Sequence, residues 1–316
     1  MDRLSTQFDM RFVFIILLVT VIISIFLSIF IITLIFLSKA ISTPANLLVC
    51  NTCIATILHL IMSTISISCF YTEIALTDWW CRIIAYFYYT CLTMLSHSYA
   101  IQGMSRLLFI VFHTHRRLFN HKCHLIFILS HIIISFLITL PILLTHDIQF
   151  RPLHICLIPA VNILHVSYFF VTTYFTPFLI VIIIYGIIYH RVIQSSIAVR
   201  QSTHPSKRDL DLIRNILILL IIFLMAGVPS IIYIILSARN TKLSYAFYMF
   251  TIVATSIATL MEKVCLLFLN KEIWRELKKM SNKLHPAQAI MHHNTRSVLT
   301  TRLNNRSVSN IVEDQL

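Results

Sequence analysis

The sequence predicts an all-α membrane fold, a seven-transmembrane helix bundle with a short amphipathic surface helix after the last span. Three observations carry this expectation. Seven stretches lack Asp, Glu, Lys and Arg and are dominated by Ile, Leu, Phe and Val: 12–38, 40–72, 83–105, 123–146, 152–190, 215–238 and 243–261. Charged residues make up only 12% of the chain, about half their share in soluble domains. The basic residues also gather in alternate loops.

Each stretch reads as a span for the same reason. A helix of about 20 apolar residues crosses the hydrocarbon core, and the last stretch, the shortest, just meets that length. Inside lipid every backbone amide must bond internally, so helices and closed barrels are the available solutions. None of the stretches alternates polar and apolar residues as a barrel strand would, and glycine is scarce, at 3 residues. The first stretch is too long for the apolar region of a signal peptide, and no small-residue cleavage site follows it.

The loop after the first span holds Lys39, and the loop after the third holds Arg116, Arg117 and Lys122. The loop after the fifth holds Arg191, Arg200, Lys207, Arg208 and Arg214 against Asp209 and Asp211, and eight further basic residues follow the seventh span. The opposite side is nearly balanced, with Asp2, Arg3, Asp9 and Arg11, then Glu73, Asp78 and Arg82, Asp147 and Arg151, and Arg239 and Lys242. The basic side faces the cytoplasm, which places the amino terminus outside a plasma-membrane protein of multi-pass topology. The net charge of +13 then reflects topology and contact with anionic lipid, not nucleic-acid binding.

Four segments follow: an extracellular amino terminus at 1–11, a membrane domain at 12–269, an amphipathic helix at 270–280 and a polar tail at 281–316 that is expected to be disordered. In the third, Ile273, Trp274, Leu277 and Met280 recur at helical spacing among Lys and Arg, the pattern of a helix lying on a membrane. Asn305-Arg306-Ser307 fits a glycosylation acceptor but falls in the cytoplasmic tail.

Short motifs sharpen the topology. Cys81 starts span three and Arg106 ends it 25 residues later; Cys156 precedes span five; Pro177 lies within span five, with Tyr185 eight residues on; span six reads Phe223-Leu224-Met225-Ala226-Gly227-Val228-Pro229. Together these resemble the rhodopsin-like (class A) G-protein-coupled receptors over roughly residues 12–280. The departures are as informative. The Asp-Arg-Tyr of that family is Ser105-Arg106-Leu107 here, and its span-two Asp, which helps hold a sodium ion, falls at Thr56. Its span-one Asn falls near Ser28, its span-six Trp at Gly227, and its Asn-Pro-x-x-Tyr at Glu262-Lys263-Val264-Cys265-Leu266. The chain reads as a divergent, orphan member, of peptide type.

The resemblance implies roles. Cys81 and Cys156 would form a disulfide that pins the outer loop to span three. Arg106 would pair at rest with Asp209, the acid counted back from Pro229; the alternative is an arginine snorkelling at the interface. Breaking the pair would let span six swing about Pro229, with Tyr185 then bonding near Arg106. Gly227 leaves local space in place of the family's tryptophan, so sensing would pass to Phe223 or a neighbouring Tyr. Tyr88, Tyr89 and Leu92 on span three, with Tyr86 and Phe87, would face Ser230, Tyr233 and Tyr245 in a ligand pocket; aromatic packing is the plainer reading. Tyr88 stands where amine receptors carry an Asp, and Ser256 where opsins carry their retinal-binding Lys. A peptide or an apolar small molecule suits such a pocket.

Glu262 and Lys263 either snorkel at the lower interface or form an inward polar cluster that replaces the missing span-two acid. His59, His97 and His131 read as hydrogen-bonded packing residues, and the mid-span Cys50 and Cys53 as small apolar ones rather than metal ligands. No metal-ligand cluster, nucleophile elbow or phosphate loop is present in the sequence, so neither an enzyme nor a cofactor is expected. The partners implied are an extracellular ligand, a heterotrimeric G protein, membrane lipid, and an arrestin-like protein recruited by phosphorylation of tail residues such as Ser297, Thr300 and Thr301. A non-coupling receptor-like scaffold is the alternative, and a transporter a weaker one, since no internal repeat is visible.

Overall fold

The computed structural model describes residues 2–38, 43–71, 77–111, 121–145, 156, 163–198, 218, 221–222, 224–233, 235–236, 245–270 and 272–279. All regular structure among them is helical. In chain order the helices are α1 (Asp2–Leu37), α2 (Pro44–Tyr71), α3 (Asp78–Val111) and α4 (His121–Leu144). Then α5 runs as Ile163–Phe170, a π-helical turn Val171–Phe175, and Thr176–Ala198. Next come α6 (Leu224–Tyr233), α7 (Tyr245–Leu269) and α8 (272–279). The chain divides into two units, Met1–Leu269 and Asn270–Leu316.

Among the described residues, five segments are long and apolar enough to cross a membrane: Val13–Leu37, Asn46–Cys69, His121–Leu144, Leu164–Arg191 and Phe250–Leu269. The other two of the seven expected spans are not among these five. The described part of α6 covers only the ten apolar residues Leu224–Tyr233. The other, α3, is long, at 34 residues, but polar. Its Thr90, Thr93, Ser96, Ser98, Gln102 and Ser105 are all buried. It packs against α2, α4 and α5, and Thr90, Thr93, Gln102 and Ser105 bond across to those neighbours, while Ser96 and Ser98 donate to carbonyls of α3 itself.

Helix ends follow local chemistry. Thr43 caps α2, its Oγ1 accepting the Asn46 amide at 3.4 Å, and Pro44 follows at the first helical position, where its missing N–H costs nothing. Asn270 caps α8, its Oδ1 accepting the amides of Glu272 at 3.1 Å and Ile273 at 3.3 Å. Within α5, Pro177 has no amide to offer the preceding turn. The chain there widens to a π-turn in which the Thr176 amide and Oγ1 both donate to the Val171 carbonyl, the hydroxyl at 2.8 Å.

Hydroxyls inside the bundle rarely go unbonded. Ser24, Ser28, Thr52, Thr56 and Thr93 each donate to the carbonyl four residues earlier, which satisfies them without water. Others tie helices together. The Oγ1 atoms of Thr90 and Thr139 lie 2.7 Å apart between α3 and α4, and those of Thr93 and Thr173 lie 3.0 Å apart between α3 and α5. Thr93→Val is expected to cost about 1–3 kcal/mol, because Thr173 Oγ1 is left buried without its partner. Thr93→Val/Thr173→Val should recover most of the loss. Thermal unfolding of the solubilised protein checks both, and a double variant as weak as the single one would show that the contact contributes nothing.

Candidate functional site

Buried polar residues occur on α2, α3, α4 and α7, and three places along α3 gather the residues singled out in the sequence. At the Asp78 end, Cys81 is joined to Cys156 by a disulfide. The bonded pair is buried with Ala85, Tyr89 and Ile142, and Tyr88, Leu92 and Phe169 pack against them. The Tyr89 ring meets Phe169 of α5 edge-on at 4.4 Å, and Tyr88 meets His59 of α2 at 5.4 Å. Three of the five expected pocket residues, Tyr88, Tyr89 and Leu92, therefore share one cluster. Ser230 and Tyr233 stand on α6, both half-buried.

The expectation that Tyr86 and Phe87 share that face is corrected. Successive residues of an α-helix turn by about 100°, so five neighbours cannot all look one way. The Tyr86 hydroxyl donates to the Phe136 carbonyl of α4 at 3.3 Å, and Phe87 is exposed. The side chain of Tyr245 lies outside the described residues.

Toward the other end of α3, the guanidinium of half-buried Arg106 donates from Nη1 to the Tyr185 hydroxyl of α5 at 3.4 Å. A side chain added at Gly103, one turn before, would meet Ile184 and Tyr185 at ordinary van der Waals distance. Ser105, in the place of an acid, is fully buried and bonds His124 of α4, Oγ to Nε2, at 2.9 Å. Asp209 and Phe223, two of the expected switch residues, lie outside the described residues. Pro229 lies half-buried within α6.

Between these ends is a buried polar core. Glu262 and Lys263 of α7 are 3% and 0% exposed, so the reading of two side chains reaching out at the interface does not hold, and the inward-facing one does. The Tyr99 hydroxyl of α3 bonds the Glu262 carboxylate, and Gln102 donates from Nε2 to Thr52 Oγ1 of α2.

The expectation of free space at Gly227 is also corrected. The ring of Tyr174, from the π-turn of α5, sits where a side chain at 227 would begin, and it stacks on Phe170 at 5.5 Å. Tyr174, Tyr99 and His124 belong to no motif visible in the sequence. Glu262, one residue beyond the last charge-free run, was the signal that could have prompted a search for Tyr99.

The remaining histidines pack as expected in part. His97 and His131 bond through Nδ1 to the carbonyls of Thr93 at 3.0 Å and Ile128 at 2.7 Å. The Nδ1 of His59 has no hydrogen-bond partner among the described residues. Cys50 and Cys53 are buried and unbonded, and no metal-ligand group of three occurs among the described residues.

With this geometry in place, comparison with known proteins is decisive on ancestry. The family model of the seven-transmembrane receptors of the rhodopsin family matches residues 27–262, from the middle of α1 to the buried carboxylate of α7. No curated protein matches the chain.

Proposed function

Because this chain belongs to the rhodopsin family of seven-transmembrane receptors, we propose that it is a plasma-membrane receptor with its amino terminus outside. It binds an extracellular peptide or apolar small molecule and activates a heterotrimeric G protein. The observation that carries this reading is the layout of α3. One end is bound by the Cys81–Cys156 disulfide to an aromatic cluster, and the other carries Arg106 against Tyr185. A ligand bound against Tyr88, Tyr89, Leu92, Ser230 and Tyr233 would act on the first end, and a G protein would meet the second.

In this reading the resting lock is Arg106 with Asp209, a charge-assisted pair. Ser105 supports it, since its hydroxyl is engaged by His124 and no acid beside Arg106 competes for the guanidinium. Release would let the inner part of the sixth span swing about Pro229, while Tyr185 keeps hold of Arg106. The helix at 270–280 lies on the cytoplasmic lipid surface, and phosphorylated tail residues recruit an arrestin-like partner.

A second reading has a specific observation in its favour. Ser105 and Gly227 replace the acid and the tryptophan by which the family couples, which suits a receptor-like scaffold that binds without signalling. One experiment separates the two: G-protein activation in cells, basal and against a peptide library. Coupling predicts a response that Arg106→Ala abolishes, and a raised basal level in Asp209→Asn. No response under any condition supports the scaffold, and an unchanged basal level in Asp209→Asn refutes the lock.

A further inference from the structure

We propose that Lys263 is a built-in counter-ion for Glu262, so that the polar core of the bundle is electrically complete and takes up no diffusible cation. Among the described residues these two are the only Asp, Glu, Lys or Arg that are buried. Glu262 Oε1 accepts a hydrogen bond from Lys263 Nζ at 3.0 Å, and Oε2 lies 2.8 Å from the same nitrogen. Both carboxylate oxygens therefore address one ammonium. The Tyr99 hydroxyl approaches the carboxylate from α3, and Cys53 of α2, itself fully buried, is close enough to feel both charges.

Geometry makes this arrangement informative. Neighbouring residues on a helix project about 100° apart, so an adjacent pair does not meet by default. Contact requires the lysine stem to fold back beside the glutamate. The same stem could instead have carried its charge toward water, as long basic side chains in lipid usually do. Six residues of helix, a rise of about 9 Å, separate Lys263 from the end of α7 at Leu269, and the side chain stays fully buried.

Among the described residues no other buried carboxylate is present to compete for the ammonium. Thr52 and Thr56, the nearby buried hydroxyls of α2, give their protons to their own helix, and Thr52 also accepts from Gln102. A lone carboxylate in this place would draw a cation from solution, because a buried charge needs a partner. The tethered ammonium takes that role, with a net charge of zero.

The test is thermal stability of the full-length receptor in nanodiscs, read as monomer surviving heating, in sodium, potassium or choline chloride at fixed ionic strength. The wild type should melt at the same temperature in all three salts. Lys263→Met and Glu262→Gln should each melt on the order of 10 °C lower, and Glu262→Gln/Lys263→Met should recover most of that loss. A wild type stabilised by sodium over choline would overturn the proposal, because the site then holds a free ion. A double variant no more stable than the weaker single one would overturn it too. Should either single variant fail to accumulate, the salt series on the wild type and the double variant still decide.

Discussion

Cys81→Ser, Cys156→Ser and the double replacement are expected to destabilise the receptor equally, by about 3–4.5 kcal/mol. The upper figure comes from the entropy of closing a loop of 75 residues in a free chain, about 4.5 kcal/mol. The lower one allows for the bilayer. Helices α3 and α4 stay inserted when tertiary packing is lost, since their backbones have no other way to bond in lipid. Much of the loop is then held already, and the freedom removed is nearer that of a short segment after Leu144, about 3 kcal/mol for about 15 residues. A melting temperature lower by on the order of 10 °C follows. The same drop in all three variants is the signature of a shared bond, because either serine leaves the other sulfur alone. Dithiothreitol should bring the wild type down to the level of the variants and leave the variants where they are. Variants that melt with the wild type would show that the link between Cys81 and Cys156 carries no stability.

Why the bond was readable and the rest of the core was not is a matter of what sequence encodes in lipid. Charge-free length marks a span because charge is excluded from the hydrocarbon. Caps such as Thr43-Pro44 and Asn270 mark ends because backbone groups there need partners. Neither reports which way a helix faces. An apolar run is hydrophobic all round, so its rotation is set by packing alone, and contacts such as Tyr99 with Glu262 or Ser105 with His124 depend on that rotation in two helices at once.

A signal for the inner face does exist in α1. Among its described side chains the buried ones are Leu17, Val21, Ser24, Ser28, Ile31, Leu34 and Ile35, with Ser24 and Ser28 in the middle of the stripe. In a membrane the small polar residues mark the inside, because apolar ones are welcome on either face. The same logic picks out Thr52 and Thr56 on α2 and Thr90, Thr93, Ser96, Ser98, Gln102 and Ser105 on α3, all buried. It also explains why α3 is the least apolar of the long helices yet the most central. Of the candidate site, the disulfide between Cys81 and Cys156 follows from the resemblance to the receptor family, not from composition or periodicity. The aromatic face excludes Tyr86 and Phe87, because neighbours in the sequence of a helix turn away from one another in space.

Gly227 supplies the second large expected effect, and its sign is the test. In a helix interior, glycine to alanine normally stabilises by about 1 kcal/mol, since glycine gives up more backbone freedom on folding. Here the expectation reverses. The Tyr174 ring occupies the volume that the new methyl needs, so Gly227→Ala should destabilise by about 1–3 kcal/mol, the usual result of overpacking. Tyr174 cannot simply step aside. It sits in the π-turn just before Pro177, its ring stacks on Phe170, and its neighbour Thr173 is bonded to Thr93. Removing the ring should restore the ordinary sign: in a Tyr174→Ala background, Gly227→Ala becomes neutral or stabilising. A Gly227→Ala receptor that melts above the wild type would show that the ring does not hold this position. The contact also lies two residues before Pro229, the bend about which the sixth span is proposed to swing. The ring keys α5 to α6 at that bend, so Tyr174→Ala should raise basal G-protein activation as well as lower stability. Gly227→Ala, which forces the two helices apart at the same point, should raise it too.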